Sequence, residues 1–79
     1  MATDVFMPKF GMTMQEGEVV KWVKKEGDVV NKGDVIAEIM SEKITNNLEA
    51  QVSGTIETII IKEGESAKIG SVIAKIKEN

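Results

Sequence analysis

A shift of 37 residues lays the sequence on itself, and no other feature constrains the fold as tightly. Gly17 falls on Gly54, Lys25-Glu26-Gly27 on Lys62-Glu63-Gly64, Gly33 on Gly70, Val35-Ile36-Ala37 on Val72-Ile73-Ala74 and Ile39 on Ile76. Val19 on Ile56, Trp22 on Ile59 and Val23 on Ile60 are conservative matches, and no gap is needed from residue 17 to residue 39. Such a self-match marks two copies of one supersecondary unit. Neither copy can bury its apolar face alone, so two similar sheets packed about an approximate two-fold axis are expected.

Val and Ile together number 19, whereas Leu occurs once, at Leu48. β-Branched side chains favour pleated strands, and no window of ten residues carries the i, i+3, i+4, i+7 stripe of a helix. The class is all-β. A chain of 79 residues buries only about 60% of its unfolded surface, which supports one domain over 1–79 with half-motifs of about 5–41 and 42–79. Strands are expected at Val5 to Lys9, with Pro8 confining that strand to an edge, at Glu18 to Lys24 and at Val35 to Met40, with a short run at Val29-Val30. Gly27, Gly33, Gly64 and Gly70 read as turn glycines needing positive φ. Trp22, Val20 and Ile59 are expected in the core, and Met12 and Met14 over the sandwich edge. Alternation fails at Ile36, Ala37 and Ile39 and again at Ile73 and Ile76, which indicates either a bulge or a strand buried on both faces.

With no histidine and no cysteine, imidazole acid–base catalysis, thiol nucleophiles, disulfides and nitrogen or sulfur metal sites are excluded. No catalytic residue and no metal ligand is expected. The net charge of -3 has no basic face for nucleic acid and no polybasic membrane patch. No apolar run reaches the roughly 20 residues of a membrane span. The chain reads as soluble and cytoplasmic, and the isolated domain as monomeric.

Between the two copies lies the polar turn Ser41-Glu42-Lys43-Ile44. Lysines in turns are mostly solvated surface residues, and what singles out Lys43 is its place in the repeat. The shift sets Met40-Ser41-Glu42 on Lys77-Glu78-Asn79, so a two-fold axis puts the termini at one end of the sandwich and Lys43 at the other. The loop Phe10 to Gln15 then finishes beside Lys43. Lacking glycine, the turn is expected to be type I rather than a primed two-residue turn. Asn46-Asn47 tolerates left-handed backbone and is a rival hairpin tip.

Met7-Pro8-Lys9 with Gly11, Glu16-Gly17 leading to Val20-Lys21-Trp22, Glu26-Gly27-Asp28, Gly33-Asp34, Ala37-Glu38-Ile39, Ser41-Glu42-Lys43-Ile44-Thr45 and Ser53-Gly54 stand in one order and spacing. In that set the chain resembles the lipoyl domains of dihydrolipoamide acyltransferase components of 2-oxo acid and acetoin dehydrogenase complexes. The resemblance implies a flattened barrel of two four-stranded antiparallel sheets and a swinging-arm carrier, itself no enzyme. It implies lipoic acid bound covalently to Lys43, with Ser41, Glu42 and Ile44 as turn neighbours, and partner recognition by Glu42, Gly11, Met12, Thr13 and Met14. The implied partners are a lipoate ligase or lipoyl transferase, a thiamine diphosphate-dependent dehydrogenase component, an acyltransferase catalytic domain and dihydrolipoamide dehydrogenase. Where the family commonly has Asp before the lysine and often Ala after it, this chain has Glu42 and Ile44; Lys-Ile-Thr-Asn is reminiscent of the acetoin-cleaving branch. Two alternatives stand beside it: a biotin carrier of a carboxylase, whose lysine the family flanks with Met on both sides, and an unmodified structural barrel-sandwich module.

Overall fold

The computed structural model describes residues 2–78. Eight strands follow one another: β1 (Ala2–Phe6), β2 (Glu16–Trp22), β3 (Val29–Val30), β4 (Val35–Ser41), β5 (Ile44–Glu49), β6 (Gly54–Ile59), β7 (Ser66–Lys68) and β8 (Val72–Glu78). They form two four-stranded sheets, ordered β1-β8-β6-β3 and β5-β4-β2-β7, with every pairing antiparallel. No described helix is long and apolar enough to cross a membrane.

The repeat survives in three dimensions, but the halves interlock. Each contributes two adjacent central strands to one sheet and two edge strands to the other: β2 and β4 sit between β5 and β7, and β8 and β6 between β1 and β3. The seam on the two-fold axis is reciprocal. Glu26 accepts a hydrogen bond from the backbone N–H of Ile59, and Glu63 accepts one from that of Trp22, each at 2.8 Å. Gly27 N–H donates to Ile56 O and Gly64 N–H to Val19 O, and these partners again differ by 37 in number.

Bulges resolve the broken alternation. The β2–β4 register slips between Val19 and Lys21 and the β6–β8 register between Ile56 and Thr58, leaving Val20 and Glu57 as the extra residues. Second slips leave Ile36 extra in β4 and Ile73 extra in β8. An extra residue re-aims its neighbours, so Ile36 and Ala37 are both fully buried, as are Ile73 and Ala74. The same device turns Val20 outward to 40% exposure, against the expectation that it is core. Trp22 is buried, with its indole N–H donating to Ile61 O at 2.8 Å, and Ile59 packs half-buried against the core.

The buried set is wholly apolar among the described residues, and each fully buried Ile or Val contributes roughly 1.5–3 kcal/mol. Two strands are shifted from their expected ranges, and β4 runs one residue past Met40, to Ser41. The first strand is Ala2–Phe6 rather than 5–9, because β8 offers partners back to Lys77 and Pro8 lies beyond the ladder. The second is Glu16–Trp22 rather than 18–24, because β7 pairs with Glu16, Gly17 and Glu18. Gly27, Gly33, Gly64 and Gly70 all have positive φ, as expected.

Candidate functional site

The hairpin of β4 and β5 is built on Val35, Ile36 and Ile39, whose β-branched side chains pay little entropy to sit in a pleat, with Leu48 buried on the other arm. Its ladder runs Glu38↔Asn47, Ile39↔Asn46, Met40↔Thr45 and Ser41↔Ile44. Asn46 and Asn47 are therefore strand residues, and the tip is Glu42-Lys43.

Both tip residues take positive φ, 51° at Glu42 and 68° at Lys43. The expectation of a type I turn is overturned. A two-residue loop must match the right-handed twist of its strands, and primed turns do so whereas type I splays them. Left-handed backbone costs roughly 1–2 kcal/mol at a residue with a Cβ, and here the paired arms impose it on two adjacent residues without glycine.

The tip lies at one end of the molecule, whose longest dimension is 35 Å. From it β2 runs to Trp22, whose indole meets Ile61 just beyond β6. β6 in turn begins at Gly54, paired with Glu78, while Ala2 pairs with Lys77. The terminal strand ends thus occupy the far end, as the repeat required. Lys43 is exposed, and among the described residues the one side-chain ion pair joins Lys75 to Asp4, so the Lys43 ammonium is unpaired.

The loop before β2 does reach the tip. Met7 N–H donates to Ser71 O as Ala50 N–H does to Asp34 O, which makes Met7 and Ala50 counterparts under the repeat. Ten positions separate Met7 from Gly17 but four separate Ala50 from Gly54, so the first copy carries six additional residues. Thr13 lies within that insertion, and its hydroxyl donates to Glu42 Oε1 at 2.8 Å.

Met14 anchors the loop. It is 5% exposed, its sulfur accepts the Phe10 N–H at 3.2 Å and its own N–H donates to Gly11 O at 3.2 Å. From sequence Met12 and Met14 are alike, both expected as edge cover and as recognition residues. Met12 is 93% exposed and covers nothing, whereas Met14 is buried and only it covers the sandwich edge. Gly11, Met12 and Thr13 stay outward with Glu42 and the 63%-exposed Ile44, and Ser41 is half-buried at the end of β4.

Two shallow clefts flank the tip. One, of about 90 Å³, is lined by Phe10, Gly11, Met14, Glu42 and Ile44. The other, of about 230 Å³, brings Glu16, Glu18, Met40 and Ser66 up to Lys43. Those four were missed by the sequence reading, and the shift of 37 could not supply Ser66 because β7 crosses to the other copy's sheet. A larger groove, about 530 Å³, lies instead on the two-fold seam between Trp22, Ile59, Lys25, Lys62, Glu26 and Glu63. Its two carboxylates are already engaged by backbone amides.

Chemically the tip offers one exposed primary amine at the apex of a two-residue turn. No group of acidic side chains that could hold a metal occurs among the described residues. Such an amine suits amide attachment of a carboxylic acid, and the free space around it suits a group that must leave the surface.

A family model described as "Biotin-requiring enzyme" (Biotin_lipoyl) matches residues 3–76. The chain is 51% identical over 76 residues to the dihydrolipoyllysine-residue acetyltransferase component of the acetoin cleaving system of Bacillus subtilis (strain 168), covering 96% of this chain and 19% of that protein. It is 41% identical over 76 residues to the corresponding component of the Staphylococcus aureus (strain N315) pyruvate dehydrogenase complex, covering 96% of this chain and 18% of that protein. The chain thus spans about a fifth of the length of these relatives. Among solved structures, the lipoyl domain of the 2-oxoglutarate dehydrogenase complex from Azotobacter vinelandii superposes with a TM-score of 0.78 at 29% identity, covering 95% of each chain. A urea carboxylase from Kluyveromyces lactis superposes with a TM-score of 0.79 at 26% identity, over 98% of this chain and 6% of that one.

Proposed function

Since the chain belongs to the Biotin_lipoyl family, we propose that it is a lipoyl carrier domain of an acyltransferase component, with lipoate in amide linkage to Lys43. It carries acyl groups and reducing equivalents between a thiamine-dependent dehydrogenase, an acyltransferase catalytic domain and dihydrolipoamide dehydrogenase, in the cytoplasm. One observation carries the assignment: a single lysine, exposed and unpaired among the described residues, at the apex of a two-residue turn at the end of the molecule remote from Ala2 and Glu78. The greater likeness to the acetoin-cleaving relative, 51% against 41% identity, favours that complex over pyruvate oxidation.

The group supplies, when bound, a strained cyclic disulfide that is readily opened and reclosed. What remains for the protein is position and specificity. The Lys43 amine, once deprotonated, displaces the activating group from the lipoate carboxyl; the amide formed is neutral, so a cation is lost from the tip. The paired arms of the hairpin hold the attachment point, and Glu42, Ile44 and the outward loop residues Gly11, Met12 and Thr13 form the surface that meets each partner.

Biotin is the rival because the family includes both attachments, and two observations weigh against it: Glu42 and Ile44, rather than methionines, adjoin Lys43. The chain is incubated in parallel with a lipoate ligase and with a biotin ligase, followed by intact mass measurement and peptide mapping. One lipoyl group on Lys43 and none on the other nine lysines is expected. Biotin in its place, or lipoate mapped to Lys32 or Lys62, overturns the assignment; no modification by either ligase leaves an unmodified structural module.

A further inference from the structure

The hairpin tip has two adjacent residues in left-handed backbone and no glycine to ease it. Among the described residues, the only side-chain hydrogen bond that reaches the tip is the one from Thr13 to Glu42, across 29 positions of sequence. Thr13 belongs to the six residues that the first copy has and the second lacks. That loop has firm footings: Met14 is buried, and Ile69 N–H donates to Gln15 O at 3.1 Å. The loop therefore offers Glu42 a fixed donor rather than a mobile one. Reach matters too, since an aspartate carboxylate lies about 1.5 Å closer to the backbone and a 2.8 Å bond stretched by that amount is no longer a hydrogen bond.

We propose that Thr13 is a positioning residue for the attachment turn: its hydroxyl fixes the Glu42 carboxylate, and through it the geometry in which Lys43 is presented to the modifying ligase. This rests on the carrier assignment of Lys43. Thr13 thereby passes from the surface read by a partner to the means by which that surface is held. The two side chains act as one unit, so each loses its effect when the other is gone.

The test uses the 79-residue chain with Thr13→Val, Thr13→Ser, Glu42→Asp and the Val/Asp double variant, assayed for lipoylation kcat/KM by the ligase. A lone hydrogen bond of ordinary net strength supports roughly a three- to ten-fold fall in Thr13→Val and in Glu42→Asp. Serine, which keeps the hydroxyl, restores the parent value, and the double variant is no slower than the worse single. A purely structural threonine predicts additive losses and no rescue by serine. Parent-like rates in Thr13→Val, or multiplicative losses in the double, overturn the proposal. NMR of the unmodified chain supplies an arm independent of attachment: the backbone couplings of Glu42 and Lys43 must shift toward averaging in Thr13→Val, and unchanged couplings also overturn it. A parent chain that accepts no lipoate sinks the carrier assignment instead, and the NMR arm alone then decides whether Thr13 holds the turn.

Discussion

Gly17 and Gly54 are counterparts in the repeat, yet the structure predicts that alanine has very different effects at the two. A Cβ at Gly54 falls 2.2 Å from the backbone oxygen of Lys77, 2.9 Å from its carbonyl carbon and 3.0 Å from Glu78 Cα. Comfortable separation is about 3.5 Å, so the Lys77 carbonyl must retreat by roughly 1 Å. Lys77 is paired on both sides, with Ala2 in β1 and Thr55 in β6, and cannot retreat without loosening a ladder. Overpacking of about 1–3 kcal/mol plus about 1 kcal/mol for a weakened hydrogen bond, less about 0.5 kcal/mol from the stiffer unfolded chain, leaves roughly 1.5–3.5 kcal/mol. A domain this small has about 3–5 kcal/mol in all, so Gly54→Ala forfeits a large part of its stability. At Gly17 the added methyl meets Ile39 Cγ2 at 2.8 Å and Met14 Cε and Met7 Sδ at 2.9 Å each. Two of those three are the ends of flexible methionines, and a net loss of about 1 kcal/mol follows. Urea titrations followed by far-UV circular dichroism and Trp22 fluorescence compare the two, in sodium sulfate if Gly54→Ala lacks a folded baseline, since excluded salts strengthen burial. A Gly54→Ala domain as stable as Gly17→Ala would refute the reasoning, because it would mean the backbone clash relaxes as cheaply as a side-chain one.

Lys43→Arg abolishes lipoylation and changes unfolding free energy by less than ~0.5 kcal/mol, as expected of an exposed residue of like charge; a modified Arg variant, or an unfolded one, contradicts the assigned role. Exchanging Glu42 and Lys43 keeps composition and the net charge of -3 but re-aims the amine toward Thr13 and removes that hydrogen bond. Lipoylation then falls sharply in a domain that still melts cooperatively, and a parent-like rate shows that turn geometry is not what the ligase reads. Attachment of one group moves the net charge from -3 to about -4, so modified chain runs ahead of unmodified chain toward the anode on a native gel, and co-migration contradicts amide formation at a lysine.

Much of the architecture was fixed by periodicity. Runs of Val and Ile broken by Gly27, Gly33, Gly64 and Gly70 specify short strands and left-handed turns because these are local steric preferences. The shift of 37 carries the two-fold relation, and with it the separation of Lys43 from the chain ends and the approach of the Phe10 to Gln15 loop. Local rules could not supply what depends on partners distant in sequence. That each copy lends its edge strands to the other's sheet follows from burial of both copies in a single core, where β1 against β8 and β3 against β6 close off what neither half closes alone. Bulges at Val20 and Ile36 decide which branched side chain turns inward, and burial separates Met14 from the otherwise similar Met12. The tip shows the division most clearly. Ser41-Glu42-Lys43-Ile44 reads locally as a type I turn; the twist of the two arms it joins, acting through the pairing of Ser41 with Ile44, favours left-handed backbone at Glu42 and Lys43, and the hydroxyl of Thr13, 29 positions away in sequence, bonds to the Glu42 carboxylate beside the lysine.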